Sequence, residues 1–460
     1  MGKQWDKAMY ALAYNQATPA DVLLRLLGHE HRQVQGAVVR RGNLPPDVIE
    51  AILAHPERHV RGTFAESVAA DPVQRARILD DPDPGLAICL AMGPMPYRQP
   101  VEPLPDEAYA RLLAHPRVLV RRETAGSGSV PLHILAGLAD HEEPELRREA
   151  CRAWDLLSPA VREALLADEA PDVREAAAFR VCGEDEERTT WLAGHVTNGW
   201  VLHEVLRTGR LSRELAERLI AEGDQRAKIA GNPSLPPDLV AKLAVDPDPG
   251  VRLVISARPE LSESERAAID YTVGPESRLG TLDWVWKARE DAELLRRCAR
   301  SAHPWLRRSA AVCPGLRPDA VALLAGDEDF AVRLLLCEFH PEPPPELLLD
   351  LYLNGAHRAV GMLVARPGFP AAGLAARFGD SPDPVRRRLA LRDPALDPAL
   401  LDRLSRDPQT LDDAGRDPRL PLARILELLA DPDTAAGAAG NPALPPEEMR
   451  RLLDRAGVAV

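Results

Sequence analysis

The chain of 460 residues has few aromatic side chains: Phe, Tyr and Trp together make up 4% of it. A core without aromatics must be filled by Leu, Val, Ile and Ala, which suits helices packed closely in thin layers. A large β-sandwich is disfavoured, because sheets prefer β-branched and aromatic residues. Hydrophobic residues still reach 45% of the chain, which is enough for a folded protein.

Lysine is also scarce, so nearly all cations are Arg; the five lysines are Lys3, Lys7, Lys228, Lys242 and Lys287. The formal net charge of −13 disfavours a protein that holds nucleic acid by its backbone, because such proteins carry a basic excess. It leaves room for a local basic groove. The bias toward Arg, Ala and Pro is typical of GC-rich bacterial genomes.

The six cysteines lie far apart with no Cys-x-x-Cys, at Cys89, Cys151, Cys182, Cys298, Cys313 and Cys337. This spacing favours reduced, buried thiols in a cytoplasmic protein over a disulfide framework. No apolar run approaches the roughly 18 residues of a membrane span. The N-terminal segment also lacks the apolar region of a signal peptide. We therefore expect a cytoplasmic protein that does not associate with a membrane.

Proline, by contrast, is abundant at 44 residues, and its distribution reveals an internal repeat. Segments such as 231–257 (GNPSLPPDLVAKLAVDPDPGVRLVISA) and 417–440 (DPRLPLARILELLADPDTAAGAAG) share a unit of 24 to 27 residues. Each unit opens with an Asn-Pro or Asp-Pro turn. A second Pro, such as Pro45, Pro236 or Pro318, then marks the start of a helix, where its missing N–H would be unpaired anyway.

Each unit is predicted to hold one helix and a shorter second segment. In the 231 repeat Leu239, Val240, Leu243 and Ala244 form the apolar face of the helix. A Pro-containing turn and a segment such as VRLVISA (251–257) follow. Two full helices per repeat need about 34 to 47 residues. The short unit therefore predicts a helix of about ten residues and a stub of one α or 3₁₀ turn.

The pattern N-P-x-L-P-P-x-x-[LV]-x-x-L-A-x-D-x-x-x-x-V-R resembles the leucine-rich repeat variant family. The resemblance covers most of the chain and is best at 231–257 and 366–457. It implies an all-α, right-handed solenoid superhelix, with α-helices alternating with short second helices or 3₁₀ turns, in about 17 repeats. HEAT-like repeats are the nearest alternative. Some relatives carry a Cys-rich cluster-binding segment, which this sequence lacks, so the resemblance implies the fold and no cofactor.

The repeat pattern is interrupted at 93–106, 183–200 and 271–287. The first stretch is Pro-rich and is interpreted as an extended loop, and the second opens with an acidic run. We predict an N-terminal array at 1–182, an irregular seam at 183–210 and a C-terminal array at 211–460, within one continuous solenoid. Insertions in solenoids often lie on the binding face.

The last two interruptions contain Trp, which is favoured together with Arg at interface hot spots. The predicted partner-binding residues are Trp191, Trp200, Trp284, Trp286, Trp305, Arg307 and Arg308. The simpler alternative, that the tryptophans fill gaps between irregular repeats, has slightly more weight.

A polar pair recurs with the repeat, in which Asp or His precedes Arg by six residues. The pairs are Asp168–Arg174, Asp246–Arg252, Asp327–Arg333, Asp380–Arg386, His55–Arg61, His115–Arg121 and His141–Arg147. Such regular recurrence favours a structural role: the residue that ends the first helix accepts a hydrogen bond from the Arg that opens the second segment. The alternative is a row of Arg that binds phosphate or carboxylate, with Arg252, Arg333, Arg386 and Arg387 as candidate anion-binding residues.

No catalytic motif stands out, since H-E-x-x-H, G-x-S-x-G and dinucleotide fingerprints are absent from the sequence. His29, His55, His115 and His141 hold equivalent repeat positions. Stacked helices lie about 8–10 Å apart, too far for ligands at about 2 Å from one zinc ion. We interpret most of these histidines as helix C-terminal caps and the cysteines as small core residues. No catalytic residue, metal or cofactor is predicted.

These features favour a non-catalytic repeat scaffold that binds a protein or peptide partner through its curved surface. The alternative is a nucleic-acid-binding HEAT-like protein, in DNA binding or base repair, with Arg side chains along a concave face. The net charge disfavours it. An enzyme of unrecognised type is the third hypothesis, because fold does not decide function.

Overall fold

The computed structural model describes residues 4–94 and 101–459, and these residues form helices and turns with no strand. The all-α prediction is confirmed. No helix in this part of the chain has the length and apolar character needed to cross a bilayer. The chain forms two compact units. The terminal unit combines the residues up to Arg174 with those from Ala371 onward, and the middle unit is Glu175–Pro370.

The first part of the terminal unit contains α1 (Asp6–Tyr14), α2 (Ala20–Leu27), α3 (Arg32–Val39), α4 (Pro46–Leu53), α5 (Arg58–Ala65), α6 (Pro72–Ala76), α7 (Leu86–Met92), α8 (Asp106–Leu113), α9 (Val118–Gly126), α10 (Leu132–Ala136), α11 (Pro144–Ala150) and α12 (Pro159–Leu166). Two 3₁₀-helices, Arg77–Asp80 and Cys151–Leu156, follow α6 and α11. The helix α13 (Pro171–Val181) runs across the boundary between the units.

The middle unit contains α14 (Glu186–His195), α15 (Gly199–Thr208), α16 (Arg213–Glu222), α17 (Arg226–Ile229), α18 (Pro237–Leu243), α19 (Pro249–Ser256), α20 (Glu263–Ala268), α21 (Asp283–Lys287), α22 (Ala292–Arg300), α23 (Pro304–Ala311), α24 (Pro318–Ala325), α25 (Phe330–Phe339), α26 (Pro345–Asn354) and the 3₁₀-helix Arg358–Ala365. The terminal unit resumes with α27 (Leu374–Phe378), α28 (Pro384–Ala390), α29 (Pro398–Leu404), α30 (Leu411–Gly415), α31 (Leu422–Leu428), α32 (Ala435–Ala439) and α33 (Pro446–Ala456).

Within each unit the helices alternate between two rows. In the terminal unit α1, α3, α5, α7 and α9 pack one against the next, and we call this series the second-helix row. The helices α2 and α4 pack side by side in the other series, the first-helix row. In the middle unit α21, α23 and α25 continue in the same manner. Each repeat therefore buries its apolar faces against its neighbours, and the right-handed superhelix stays a prediction.

The prolines begin helices where the sequence pattern places them. Pro45 and Pro236 are the N-caps of α4 and α18, and Pro318 is the first residue of α24. The prediction of a stub as the second segment is wrong for most repeats, since α5 and α19 have eight residues each and α25 has ten. The reason is that Pro249, assigned to the preceding turn, is instead the first residue of α19.

A buried polar ladder joins successive repeats. Asn232 and Asn441 each follow a second helix, and Nδ2 of each donates to two carbonyls that lie 23 to 26 residues earlier, at 2.7–2.8 Å. Arg41 and Arg258 do the same with Nη1, at carbonyls 26 and 28 residues earlier. These bonds satisfy carbonyls between the layers, some of which, such as that of Leu206, have no other donor among the described residues.

The same ladder joins the two ends of the described chain inside the terminal unit. Nδ2 of Asn15 donates to the carbonyls of Ala439 at 3.0 Å and Asn441 at 2.7 Å. The helix α1 packs on α32, and α2 packs on α33. Residues 4–15 therefore take the place of the second helix that would follow α32 in the stack.

The apolar core of the terminal unit runs through this junction. Met9 and Leu12 of α1 share one buried cluster with Leu428 and Leu452 from the last repeats. Two exposed ion pairs cross the junction at 2.7 Å, Arg25–Asp454 and Arg450–Asp21. The junction thus has the composition of an ordinary interface between repeats, with an apolar centre and a polar rim.

The predicted division into arrays at 1–182 and 211–460 stays a prediction. The compact units follow a different division, because the terminal unit contains residues from both ends of the sequence. The predicted seam at 183–210 contains α14 and α15. In the first interruption, residues 95–100 lie outside the described residues. In the third, 269–282 form no helix before α21 begins.

Candidate functional site

The recurring Asp–Arg pair is a hydrogen-bond ladder whose acceptor is the main chain. Nη1 of Arg252 donates to the carbonyl of Asp246 at 2.7 Å, six residues earlier. The carboxylate of Asp246 instead pairs with Nε of Arg226 at 2.9 Å, one repeat back. The predicted structural role of the Arg is confirmed, because it ties down the turn between the two helices and also binds the following layer.

One predicted pair, Asp380–Arg386, has the wrong register. Arg387 makes the bond, from Nη1 to the carbonyl of Ser381 at 2.8 Å. Arg386 is half-exposed and lies 3.7 Å from Asp383. The register follows from the Pro that opens the second helix, since Pro384 begins α28 as Pro249 begins α19.

The candidate anion-binding arginines are engaged within the protein to different degrees. Arg252, Arg333 and Arg387 each direct Nη1 to a main-chain carbonyl six residues earlier. Arg387 also holds Asp407 with Nη2 at 2.7 Å. Anion binding by these three residues and by Arg386 stays a prediction.

The repeat histidines shape the same turn as the aspartates. Nδ1 accepts the main-chain N–H two residues ahead at 3.0–3.1 Å, in His29, His55, His115 and His141. In Asp168 and Asp246 a carboxylate oxygen accepts the equivalent bond, at 2.8 and 2.9 Å. This shared acceptor explains why the two residue types alternate at one repeat position. The imidazoles accept an N–H of the turn that follows the helix, and their predicted role as helix C-terminal caps stays a prediction. No group of three or more His, Cys, Asp or Glu placed to hold a metal ion occurs in the described ranges.

The predicted partner-binding tryptophans divide into two kinds. Trp200 and Trp286 are 67% and 44% exposed. Trp284 and Trp305 are partly buried, and their indole N–H groups donate to main-chain carbonyls at 3.1 and 2.7 Å. Trp191 stacks on a neighbouring histidine with ring centroids 5.0 Å apart. Only the first kind offers a large free apolar surface.

The two predicted arginines beside them hold the middle unit together. Arg307 binds the carboxylate of Asp327 at 2.7 Å. Arg308 is buried, and it binds Asp329 at 2.7 Å and the carbonyls of Ser277 and Gly274 at 2.9 and 3.0 Å. Arg308 thus fixes the irregular stretch that interrupts the repeats. The binding role of this Trp and Arg set stays a prediction.

A groove of about 630 Å³ lies on the second-helix row of the terminal unit, where the two chain ends meet. Its floor is α32, with the sequence AAGAA, which has no side chain larger than a methyl group. Tyr10 and Tyr14 on α1 line one side, and Asp412 and Arg416 on α30 line the other. We call this feature the tyrosine groove.

The floor of the tyrosine groove depends on a close approach of two helix backbones. A Cβ on Gly437 would lie 2.4 Å from the carbonyl oxygen of Asp412, so only glycine fits there. A Cβ on Gly415 would lie 3.0 Å from the backbone nitrogen of Ala438. The contact between α30 and α32 is therefore made by main chain, which leaves no side chains to fill the space above.

Two tyrosines stand beside this floor in a fixed arrangement. Tyr10 and Tyr14 are 43% and 41% exposed, and their rings pack edge to face with centroids 5.0 Å apart. Partial burial, followed by the hydrogen bond with Tyr10, raises the pKa of Tyr14. Its hydroxyl is therefore protonated at neutral pH. The buried residues of α1 anchor the helix, so the rings present a preformed aromatic edge.

The charges in the tyrosine groove are mixed. Lys7 and Arg416 contribute cations, while Asp6 and Asp412 contribute carboxylates. One carboxylate oxygen of Asp6 is buried without a hydrogen-bond partner among the described residues and lies 3.8 Å from His29. Burial lowers the pKa of His29, so the imidazole is neutral at pH 7. The groove thus combines both signs of charge with an aromatic edge, which suits a polar, extended ligand.

The sequence reasoning missed this site because its parts are distant in the chain. Two features of the sequence point to the site. Tyr10 and Tyr14 lie four residues apart near the start of the sequence, and the helix AAGAA, which has no large side chain, lies near its end. No model of a known protein family matches the chain, and no curated protein matches it either. The geometry of the groove is therefore the basis for a functional proposal.

Proposed function

We propose that the protein is a non-catalytic repeat scaffold, related to the leucine-rich repeat variant family, that binds an extended segment of a partner protein in the tyrosine groove. The observation that carries the proposal is the exposed, mutually packed pair Tyr10 and Tyr14 beside a helix of Ala and Gly. Aromatic side chains are favoured at interface hot spots because they bury much area at low entropic cost.

The chemistry of the groove favours a proline-containing segment. Pro-rich segments adopt an extended helix before binding, so little entropy is lost when they dock in an aromatic-lined groove. The flat faces of Tyr10 and Tyr14 suit the proline ring, and the low floor over α32 leaves space for the chain. The carboxylate of Asp412 and the guanidinium of Arg416, which line the groove, can bind the main-chain N–H and C=O groups of the peptide.

A direct test measures the affinity of peptides selected from a random, proline-biased library by fluorescence anisotropy. We expect the double variant Tyr10→Ala/Tyr14→Ala to bind at least about thirtyfold more weakly, which corresponds to a hot-spot loss of about 2 kcal/mol. The matched control is Trp200→Ala/Trp286→Ala, which removes two exposed aromatics in the middle unit. It should bind like the wild type.

If the tyrosine variant binds like the wild type and the tryptophan variant binds more weakly, the binding site includes the tryptophans predicted from the sequence and not the tyrosine groove. Duplex DNA in the same assay tests the nucleic-acid alternative. Tight binding that weakens steeply between low and moderate salt, and that is indifferent to the tyrosine variant, would replace the scaffold proposal.

A further inference from the structure

The interrupted repeat of the middle unit contains a second pocket of different character. The helix α20 ends at Ala268, and 269–282 form no helix before α21. A pocket of about 400 Å³ is lined by residues of α20, α21 and α22. Leu261, Leu294 and the ring of Trp284 give it an apolar wall. We call it the arginine pocket.

Three guanidinium groups line this pocket, from Arg266, Arg297 and Arg300. The one carboxylate of the lining is Glu263. Arg297 and Arg300 are exposed and form no ion pair with any residue of 4–94 or 101–459. In a chain of net charge −13, this local excess of positive charge favours an anionic ligand.

Arg266 is the buried member of the set. Its side chain is only 5% exposed, yet it lies in the pocket wall. Nη1 donates to the carbonyl of Ser256 at 2.5 Å, while the buried Nε has no hydrogen-bond partner among the described residues. A guanidinium carries five N–H donors, and a buried cation with unused donors is costly. An oxyanion against the part of this guanidinium that lines the pocket would compensate the buried charge.

The carboxylate of Glu263 fills this role only in part, because it forms an ion pair with Arg266 but no hydrogen bond. It lies 3.5 Å from Nε of Arg266, outside hydrogen-bond geometry, and more than half of it is exposed. Its oxygens already accept bonds from the hydroxyl of Ser301, at 2.9 and 3.0 Å, and from the N–H of Ala302 at 3.1 Å. Glu263 is thus held by the loop that precedes α23, which leaves Arg266 available to a ligand.

The apolar wall is held in a fixed orientation. The indole N–H of Trp284 donates to the carbonyl of Ala257 at 3.1 Å, so the ring cannot turn away without losing this bond. Leu294 and Leu306 complete the apolar lining. A site with cations beside a fixed aromatic wall can hold the charged and apolar parts of one molecule together.

We propose that the arginine pocket binds an organic oxyanion with an adjacent apolar group, with the oxyanion at Arg266 and the apolar group against Trp284. Arg297 and Arg300 at the rim attract the anion and complete its neutralisation. A carboxylate and a phosphate monoester share this chemistry. The proposal concerns the middle unit and does not depend on the tyrosine groove.

Isothermal titration calorimetry with 3-phenylpropionate, phenyl phosphate and inorganic phosphate tests the pocket on the full chain. We expect at least one of the two aromatic anions to bind, and inorganic phosphate to bind more weakly than phenyl phosphate. The neutral 3-phenylpropanamide should not bind. The preference between the two aromatic anions assigns the source of the oxyanion, carboxylate or phosphate. Absence of binding by both at millimolar concentration, or equal binding of the amide, would overturn the proposal.

Variants locate the binding. Arg297→Gln/Arg300→Gln should weaken binding about tenfold or more, since two rim cations are lost. The matched control is Arg296→Gln on the same helix, because Arg296 pairs with Asp319 and does not line the pocket. Arg266→Gln should abolish binding. If Arg266→Gln does not fold, the affinity of Arg297→Gln/Arg300→Gln tests the site by itself. Wild-type affinity in Arg297→Gln/Arg300→Gln would contradict the proposed site.

Discussion

Replacing Asn15 with Ala removes a side chain that joins segments more than four hundred residues apart in sequence, at a separation of 424. Nδ2 of Asn15 donates to the carbonyls of Ala439 at 3.0 Å and Asn441 at 2.7 Å, and its Oδ1 accepts the N–H of Ala17 at 3.0 Å. The side chain is 3% exposed. The variant therefore leaves the carbonyl of Ala439 without a donor inside the junction, while the carbonyl of Asn441 keeps the N–H of Leu444 at 3.1 Å.

The magnitude follows from these bonds. A buried polar group that loses its partner costs about 1–3 kcal/mol, and carbonyls tolerate the loss better than N–H groups. For the carbonyl of Ala439 we expect the junction between α1 and α32 to lose about 1–3 kcal/mol of local stability. The apolar contacts of Met9 and Leu12 remain, so the junction should open more often without the whole unit unfolding.

Native-state amide hydrogen exchange is the suitable assay, because it resolves local opening in a long repeat stack that need not unfold in one step. The expected loss corresponds to exchange roughly 5- to 140-fold faster in α1 and α32. The matched control is Asn232→Ala, which removes the same pair of bonds in the middle unit. It should accelerate exchange around Asn232 and leave α1 and α32 unchanged.

Two results together would refute this role of Asn15. The amides of α1 and α32 in Asn15→Ala would exchange at the wild-type rate, while the amides around residue 232 in Asn232→Ala would exchange faster than in the wild type. These results would mean that the ends of the chain are not joined by the ladder. The tyrosine groove would then be incomplete, since α1 forms one side of it and α32 its floor.

Gly437→Ala places a Cβ 2.4 Å from the carbonyl oxygen of Asp412 and should lower the melting temperature. Gly194→Ala, inside α14 with nothing within 4 Å of the added Cβ, should stabilise by about 0.5–1 kcal/mol. Melting curves that do not separate the two variants would contradict the main-chain contact of α30 with α32. Burial lowers the pKa of His303 to about 4, while the unfolded value is about 6.5. Between these two pH values the unfolded chain binds a proton that the folded chain does not. The free energy of unfolding therefore decreases as the pH is lowered, by about 2 kcal/mol from pH 7 to pH 5. His303→Asn keeps the N-cap acceptor for Trp305 and should reduce this loss, as measured by urea midpoints at pH 7 and pH 5. An equal loss in both proteins would assign the pH dependence to other groups.

The features predicted correctly from the sequence are those encoded in neighbouring residues. Prolines begin helices because the first helical positions need no N–H donor. In many second helices an arginine reaches a carbonyl six residues back, as Arg252 does, and this bond requires only a tight turn. The length of the second segment was misjudged, because a Pro such as Pro249 can end a turn or begin a helix, and sequence spacing alone does not separate the two.

The remaining features depend on which repeats become neighbours. Asn15 has the same sequence context as an ordinary turn residue, and its partners at the other end of the chain follow only from packing. Trp284 and Trp305 read as binding residues, yet their indoles bond to main chain, whereas Trp200 is exposed. The helical period assigns a residue to the buried or the solvent face of its own repeat. Grooves and free surfaces form between repeats. Which repeat packs on a given face depends on the apolar area that the two bury together, and these repeats can be far apart in the sequence.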